Sequence, residues 1–217
     1  MSNMKFFIGL MLVLNMMKTM AATVEIQVAA PNGETVPGAA VILQAKSATA
    51  IAADKTLAIM DQVDRQFKPR ILVVPKGAPV MFPNSDSIKH HVYSFSPAKV
   101  FEIQLYKGSD NEPVIFNKAG VVELGCNVHD WMLGYIYVAD SPYFAQLDEN
   151  NSATIDVPEG EYTLRIWHPR ISEADLQKNQ SITVTENAQI SFTLEQKLST
   201  DPFAEEELSL DEFDIYE

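Results

Sequence analysis

Cysteine is the scarcest residue in this chain: its 217 residues include one, Cys126. A lone cysteine excludes an internal disulfide, so the fold must stand on its apolar core. Basic residues are also few, 16 Lys and Arg against 29 Asp and Glu, for a net charge of −13. The stretch from Asp201 to Glu217 has eight acidic residues and no basic one, and supplies −8 of that total. This balance argues against a partner recognised through a phosphate backbone, so no nucleic acid is expected. Long hydrophobic runs are missing as well. The best candidate, Phe6 to Met17, falls short of the roughly 20 residues that span a bilayer. There is no internal repeat and no long helical periodicity. What remains, 47% hydrophobic and 21% charged, is ordinary for a globular protein of one or two domains.

The N-terminus reads as an export signal over residues 1–22. Met1 to Lys5 is a short basic region, Phe6 to Met17 an apolar one, and Thr19-Met20-Ala21-Ala22 offers small residues for cleavage after Ala21 or Ala22. No cysteine sits at that point to carry a lipid anchor. The mature protein is therefore expected in the periplasm, soluble and without stable membrane insertion. Outside the cytoplasm a bare thiol is exposed to oxidation, so Cys126 needs a reason to be there, and metal ligation is one.

Period-two alternation marks the chain as all-β. It appears in Val24 to Val28, Tyr162 to Ile166, Ile182 to Val184 and Ile190 to Leu194, with turns at Pro31-Asn32-Gly33 and Pro158-Glu159-Gly160. Between these lie short apolar runs separated by turn residues: Ile71 to Val74, Val80 to Phe82, His91 to Phe95, Val114 to Phe116, Val121 to Leu124 and Gly134 to Val138. Residues 54–140 are expected to form one β-sandwich. Residues 23–46 and 144–196 are expected to form a second, smaller one, split by the first, because an isolated hairpin is marginal in water. The Ala-rich segment Ala48 to Met60 reads as a weakly helical connection, and 197–217 as a disordered acidic tail.

The chemistry concentrates in Gly125-Cys126-Asn127-Val128-His129-Asp130-Trp131-Met132, which spaces Cys, His and Met at three-residue intervals. Lys89-His90-His91-Val92 lies upstream, with His90 36 positions before Cys126. Together they offer a thiolate, two imidazoles and a thioether. Soft sulfur ligands with imidazole suit copper, and a trigonal His₂Cys set with a weak axial Met describes a blue-copper electron-transfer site. Adjacent strand residues point to opposite faces, so one of His90 and His91 should reach the metal. The expected ligands of one type 1 copper ion are His90, Cys126, His129 and Met132. His91 is left to tune the site, and His168 is read as structural or surface.

These residues and their frame resemble the cupredoxin family over roughly residues 65–138. His90-His91-Val92 is similar to the His-Asn-Val element of plastocyanin, and the Cys126-to-Met132 loop has the short spacing of amicyanin. The resemblance implies a Greek-key β-sandwich, a redox protein as partner, and electron passage through the edge of His129. Val128, Trp131 and Leu133 would then form the docking patch. His91 departs from the family pattern, standing where plastocyanin has an Asn that ties the ligand loops together. The wider chain is similar to bacterial proteins named methylamine utilization or plastocyanin-like proteins. Its outer strands, with Val36-Pro37-Gly38-Ala39 and Pro158-Glu159-Gly160-Glu161-Tyr162, look like a carboxypeptidase regulatory-like sandwich.

Electron carriage is the leading expectation. Copper storage or delivery is the alternative, although no Met/His-rich tail supports it. Enzyme chemistry is not expected: four histidines are too few for a multicopper oxidase cluster. A zinc hydrolase built on Cys126 and two histidines would have Asp130 as its nearest base and no role for Met132. The outer strands and acidic tail leave room for a partner-binding module that coexists with copper. Donor, acceptor and oligomeric state stay open.

Overall fold

The computed structural model describes residues 21–47 and 56–204, whose regular elements are strands apart from a three-residue 3-10 turn, Pro31–Gly33, and a four-residue α-helix, Glu173–Leu176. All but the last two residues of the expected leader and most of the expected tail lie outside the described residues, as does the first part of the Ala-rich connection. Where that connection is described it is not helical. Ala58–Ile59 is a strand paired with Pro79–Met81, and Met60 is fully buried.

One apolar core is built from strands at the two ends of the chain. Ala21–Ala29 alternates exposed and buried residues without a break. It pairs antiparallel with Ser152–Pro158 and parallel with Ala188–Thr193. It begins ahead of the expected mature start at Ala22 or Thr23, with Ala22 already buried opposite Val157. The facing sheet runs in the order Phe144–Gln146, Ala40–Ala45, Gly160–Trp167, Gln180–Val184. Val24, Ile26, Val41, Leu43, Leu164 and Phe192 meet between the two sheets.

The second core belongs to the intervening residues. Its main sheet has five strands in the order Ile71–Pro75, Leu133–Ala139, Gly120–Cys126, His90–Ser96, Lys99–Tyr106. Phe67, Phe82 and Phe116 pack with Val122, Leu124 and Ile136 inside it. Ala40–Ala45 explains how the two bodies touch. Its first four residues are all buried, because Val41 and Leu43 face the outer core while Ala40 and Ile42 face Val73. A strand covered on both faces reads as a continuous apolar run, which is what Ala-Val-Ile-Leu is. Tyr137 and Trp167 flank this contact with ring centroids 5.5 Å apart.

Part of the expected disordered tail is docked. Leu198 packs on the outer core, Ser199 donates its N–H to Arg170 O at 2.9 Å, and Arg70 lies over the Phe203 ring. Two apolar anchors, Leu198 and Phe203, flank the acidic Asp201 and hold the segment down.

Two outcomes follow. Gly134 lies under the Phe67 ring, where an added Cβ would come within 2.9 Å of the Phe67 side chain. Gly134→Ala should therefore destabilise the fold by about 1–3 kcal/mol in urea unfolding; an unchanged midpoint would refute the close approach. His168 is held down to about 4 by burial and then by the Arg170 charge, against an ordinary 6.5. The unfolded chain binds the proton first, so stability is full above pH 6.5 and falls as pH drops toward 4. The loss should be on the order of 3 kcal/mol, and His168→Gln should flatten that slope.

Candidate metal centre

Sheet register brings the two strand-borne donors together. In the antiparallel pair of Gly120–Cys126 with His90–Ser96, Cys126 sits opposite Val92. His90 shares the inward face with Val92 and Ser94, while His91 and Tyr93 turn the other way. His90 is thus the diagonal neighbour of Cys126 on the buried face. Its Nδ1 lies 3.7 Å from Cys126 Sγ, and its ring is fully buried.

The loop after Cys126 supplies the third donor. It turns tightly, with Met132 N donating to His129 O at 3.1 Å. His129 is thereby set beside His90, ring centroids 5.0 Å apart. Ligand atoms of His90, Cys126 and His129 all lie within 4.8 Å of one another. Met132, at the end of the same loop, is buried in the core that also holds Cys126. His129 is 9% exposed, and Val128 beside it is 47% exposed.

The electrostatics follow from partners in a dry place. Burial pushes the Cys126 thiol up, but the His90 ring and the backbone N–H groups of His91, Val128 and His129 outweigh it and leave the thiol below its ordinary value. Val128 N donates to Sγ at 3.4 Å. Burial lowers His90, yet Cys126 and Asp86 overcome it and the ring ends above its ordinary value. His129 goes the other way, lowered by burial and then by the His90 and Arg65 charges. The thiol and the His90 ring thus shift in opposite senses as partners, while His129 binds a proton less readily than a free imidazole.

This donor set fits a single soft ion. Metal bonds of about 2.0 Å to nitrogen and 2.3 Å to sulfur, opening about 120°, put the two ligand atoms about 3.7 Å apart. The His90–Cys126 separation matches that span. His129 Nδ1 is buried without a hydrogen-bond partner, a costly state for a ring nitrogen unless another group takes its lone pair.

His91 stands off the site. Its Nδ1 accepts from Asn127 Nδ2 at 3.0 Å and its Nε2 lies 2.8 Å from Glu102 Oε1. The Asn127–His91 contact ties the strand that carries His90 to the loop that follows Cys126. His168 lies in the outer body, with Nδ1 accepting from Arg170 N. Asp86, which the sequence did not single out, reaches His90 Nε2 with Oδ2 at 2.6 Å. It sits in a turn of no fixed period, so spacing carried no signal for it.

No family model and no curated protein matches the chain. Among solved structures it is similar to a novel purple cupredoxin from Nitrosopumilus maritimus, at 24% identity and TM-score 0.34, covering 38% of this chain and 99% of that one. It is similar to the Cu-containing nitrite reductase NirK from Thermus scotoductus SA-01, at 22% identity and TM-score 0.38, covering 45% of this chain and 25% of that one. It is also similar to a reduced Cu(I) form of an amicyanin variant, at 19% identity and TM-score 0.35, covering 46% and 98%.

The metal-free protein should bind one equivalent of Cu(I) per chain. At a free concentration about 100 times the dissociation constant, the ion should add about 2.7 kcal/mol to unfolding stability. Cys126→Ser should remove most of that gain, whereas an equal gain in the variant would place the ion elsewhere.

Proposed function

We propose that this chain is a type 1 copper protein of the cupredoxin kind that carries single electrons between redox partners in the periplasm. The observation that supports it most is the buried convergence of His90, Cys126 and His129 within 4.8 Å, with Met132 buried on the same loop. His90, Cys126 and His129 would be the trigonal ligands and Met132 the weak axial one. When bound, copper supplies a one-electron couple. The chain's part is to hold the donors in one arrangement for both oxidation states. His90 and Cys126 are fixed by sheet register and His129 by a hydrogen-bonded turn, so little rearrangement accompanies the change of charge.

The route to a partner runs through His129, whose ring lies at the rim of the core. Val128, Trp131 and Leu133 would form the docking patch; Trp131 lies 5.1 Å from the His129 ring centroid and Val128 is exposed. No side chain is assigned a catalytic role. The strands at the two ends of the chain are read as a split accessory sandwich, and residues 1–22 as the export signal. A place in methylamine utilization belongs to the same proposal.

Cu(II) added to the purified mature protein should give an intense visible thiolate-to-copper band and a reversible one-electron wave. Cys126→Ser should abolish the band. Met132→Gln should keep it and lower the potential, because an oxygen donor favours Cu(II). Rapid loss of copper from the reduced protein to a chelator, with no reversible wave, would favour delivery over electron carriage.

A further inference from the structure

The loop before His90 carries a carboxylate with three simultaneous partners. Asp86 Oδ1 accepts from Asp64 N at 2.7 Å, and Oδ2 accepts from Arg65 N at 2.9 Å and from His90 Nε2 at 2.6 Å. Its side chain is 11% exposed and that of His90 is 0% exposed. Asp86 is itself held, its N–H donating to Asn84 Oδ1 at 3.0 Å, while Asn84 Nδ2 donates to Ile88 O and Tyr106 O.

The partners on the far side are unusual. Asp64 and Arg65 form the tip of the hairpin joining Asp61–Val63 to Gln66–Lys68, and both have left-handed backbone, at φ 54° and 57°. Two consecutive non-glycine residues in that region are strained unless the surroundings over-determine them. The carboxylate does so by accepting both of their N–H groups. The next residues of the hairpin include Phe67, which is fully buried in the core around the site. One side chain therefore ties the tip of this hairpin to the ring of an expected ligand.

We propose that Asp86 is the positioning residue of this centre: it fixes the His90 ring with Nε2–H toward the carboxylate and Nδ1 toward Cys126, and raises the donor strength of His90 so that the site favours Cu(II). This rests on the reading of His90 as a ligand. An ionised carboxylate only accepts hydrogen bonds, so Nε2 must carry the proton and Nδ1 must present its lone pair to the metal. A carboxylate behind a ligating imidazole makes it a stronger base, and losing such a partner costs about 10–100-fold in metal affinity.

The test pairs Asp86→Asn with Asp86→Ala. In Asp86→Asn the acceptor stays and its charge goes. Cu(II) affinity should fall about tenfold relative to Cu(I), a rise of about 59 mV in the one-electron potential. The visible band should remain. Asp86→Ala should show at least that rise. In the metal-free protein, nitrogen-15 NMR should find a slowly exchanging His90 Nε2–H that disappears in Asp86→Ala. Potentials within about 10 mV of wild type, or a wild-type Nε2 without that proton, would overturn the proposal. The NMR measurement needs no copper, so a wild-type protein lacking the visible band would contradict the copper reading and still leave Asp86 tested.

Discussion

The contact between Cys126 Sγ and His90 Nδ1, 3.7 Å apart in a core of phenylalanines and aliphatics, is what the rest of the centre depends on. A thiol and an imidazole in such a place are costly unless each has a partner. Here each has several: three backbone N–H groups turn toward the sulfur, and Asp86 takes the outer nitrogen of the ring. His129, lowered by burial and then by the His90 and Arg65 charges, completes a trio of one sulfur and two nitrogen donors. That arrangement is what a soft cation needs and what a protein core otherwise avoids.

Register enforces the contact. A slip of one residue between His90–Ser96 and Gly120–Cys126 would turn His90 outward and bring His91 in. Three features hold the pairing in place. Tyr93 lies across Gly125, where an added Cβ would sit 2.7 Å from the ring. Asn127 grips His91 on the outer face. The edge strand Lys99–Tyr106 pairs through an irregularity between His90 and Val92, bringing Tyr106 beside His90. The outer strands add a second layer of support, with Ala40, Ile42 and Trp167 packed with Val73 and Tyr137.

Much of this was legible in the residues. Strands with one buried face announced themselves by alternation, as in Val24, Ile26 and Val28, and the donor loop by its unusual combination of cysteine, histidine and methionine. The two-residue period of a strand allowed only one of His90 and His91 to face inward, and the structure turns His90 that way. What escaped was set by tertiary context. Lys99–Tyr106 was missed because the irregular pairing shifts its alternation: Phe101 and Ile103 pack inward, then Tyr106, leaving Leu105 outside. The Asp61–Lys68 hairpin lacks the Asn-Gly or Asp-Gly signal expected of its turn, since Asp86, distant in sequence, supplies the hydrogen bonds that stabilise it. The docked segment around Leu198 and Phe203 was hidden by the acidic composition of its surroundings.

The most direct test is X-ray absorption at the copper edge of the loaded protein, compared with Cys126→Ser and His90→Ala. The account predicts one short sulfur and two imidazole nitrogens around a single ion in both oxidation states. The sulfur should be lost in the first variant and one nitrogen in the second. A copper shell without a short sulfur, or one that keeps both imidazoles when His90 is gone, would contradict it.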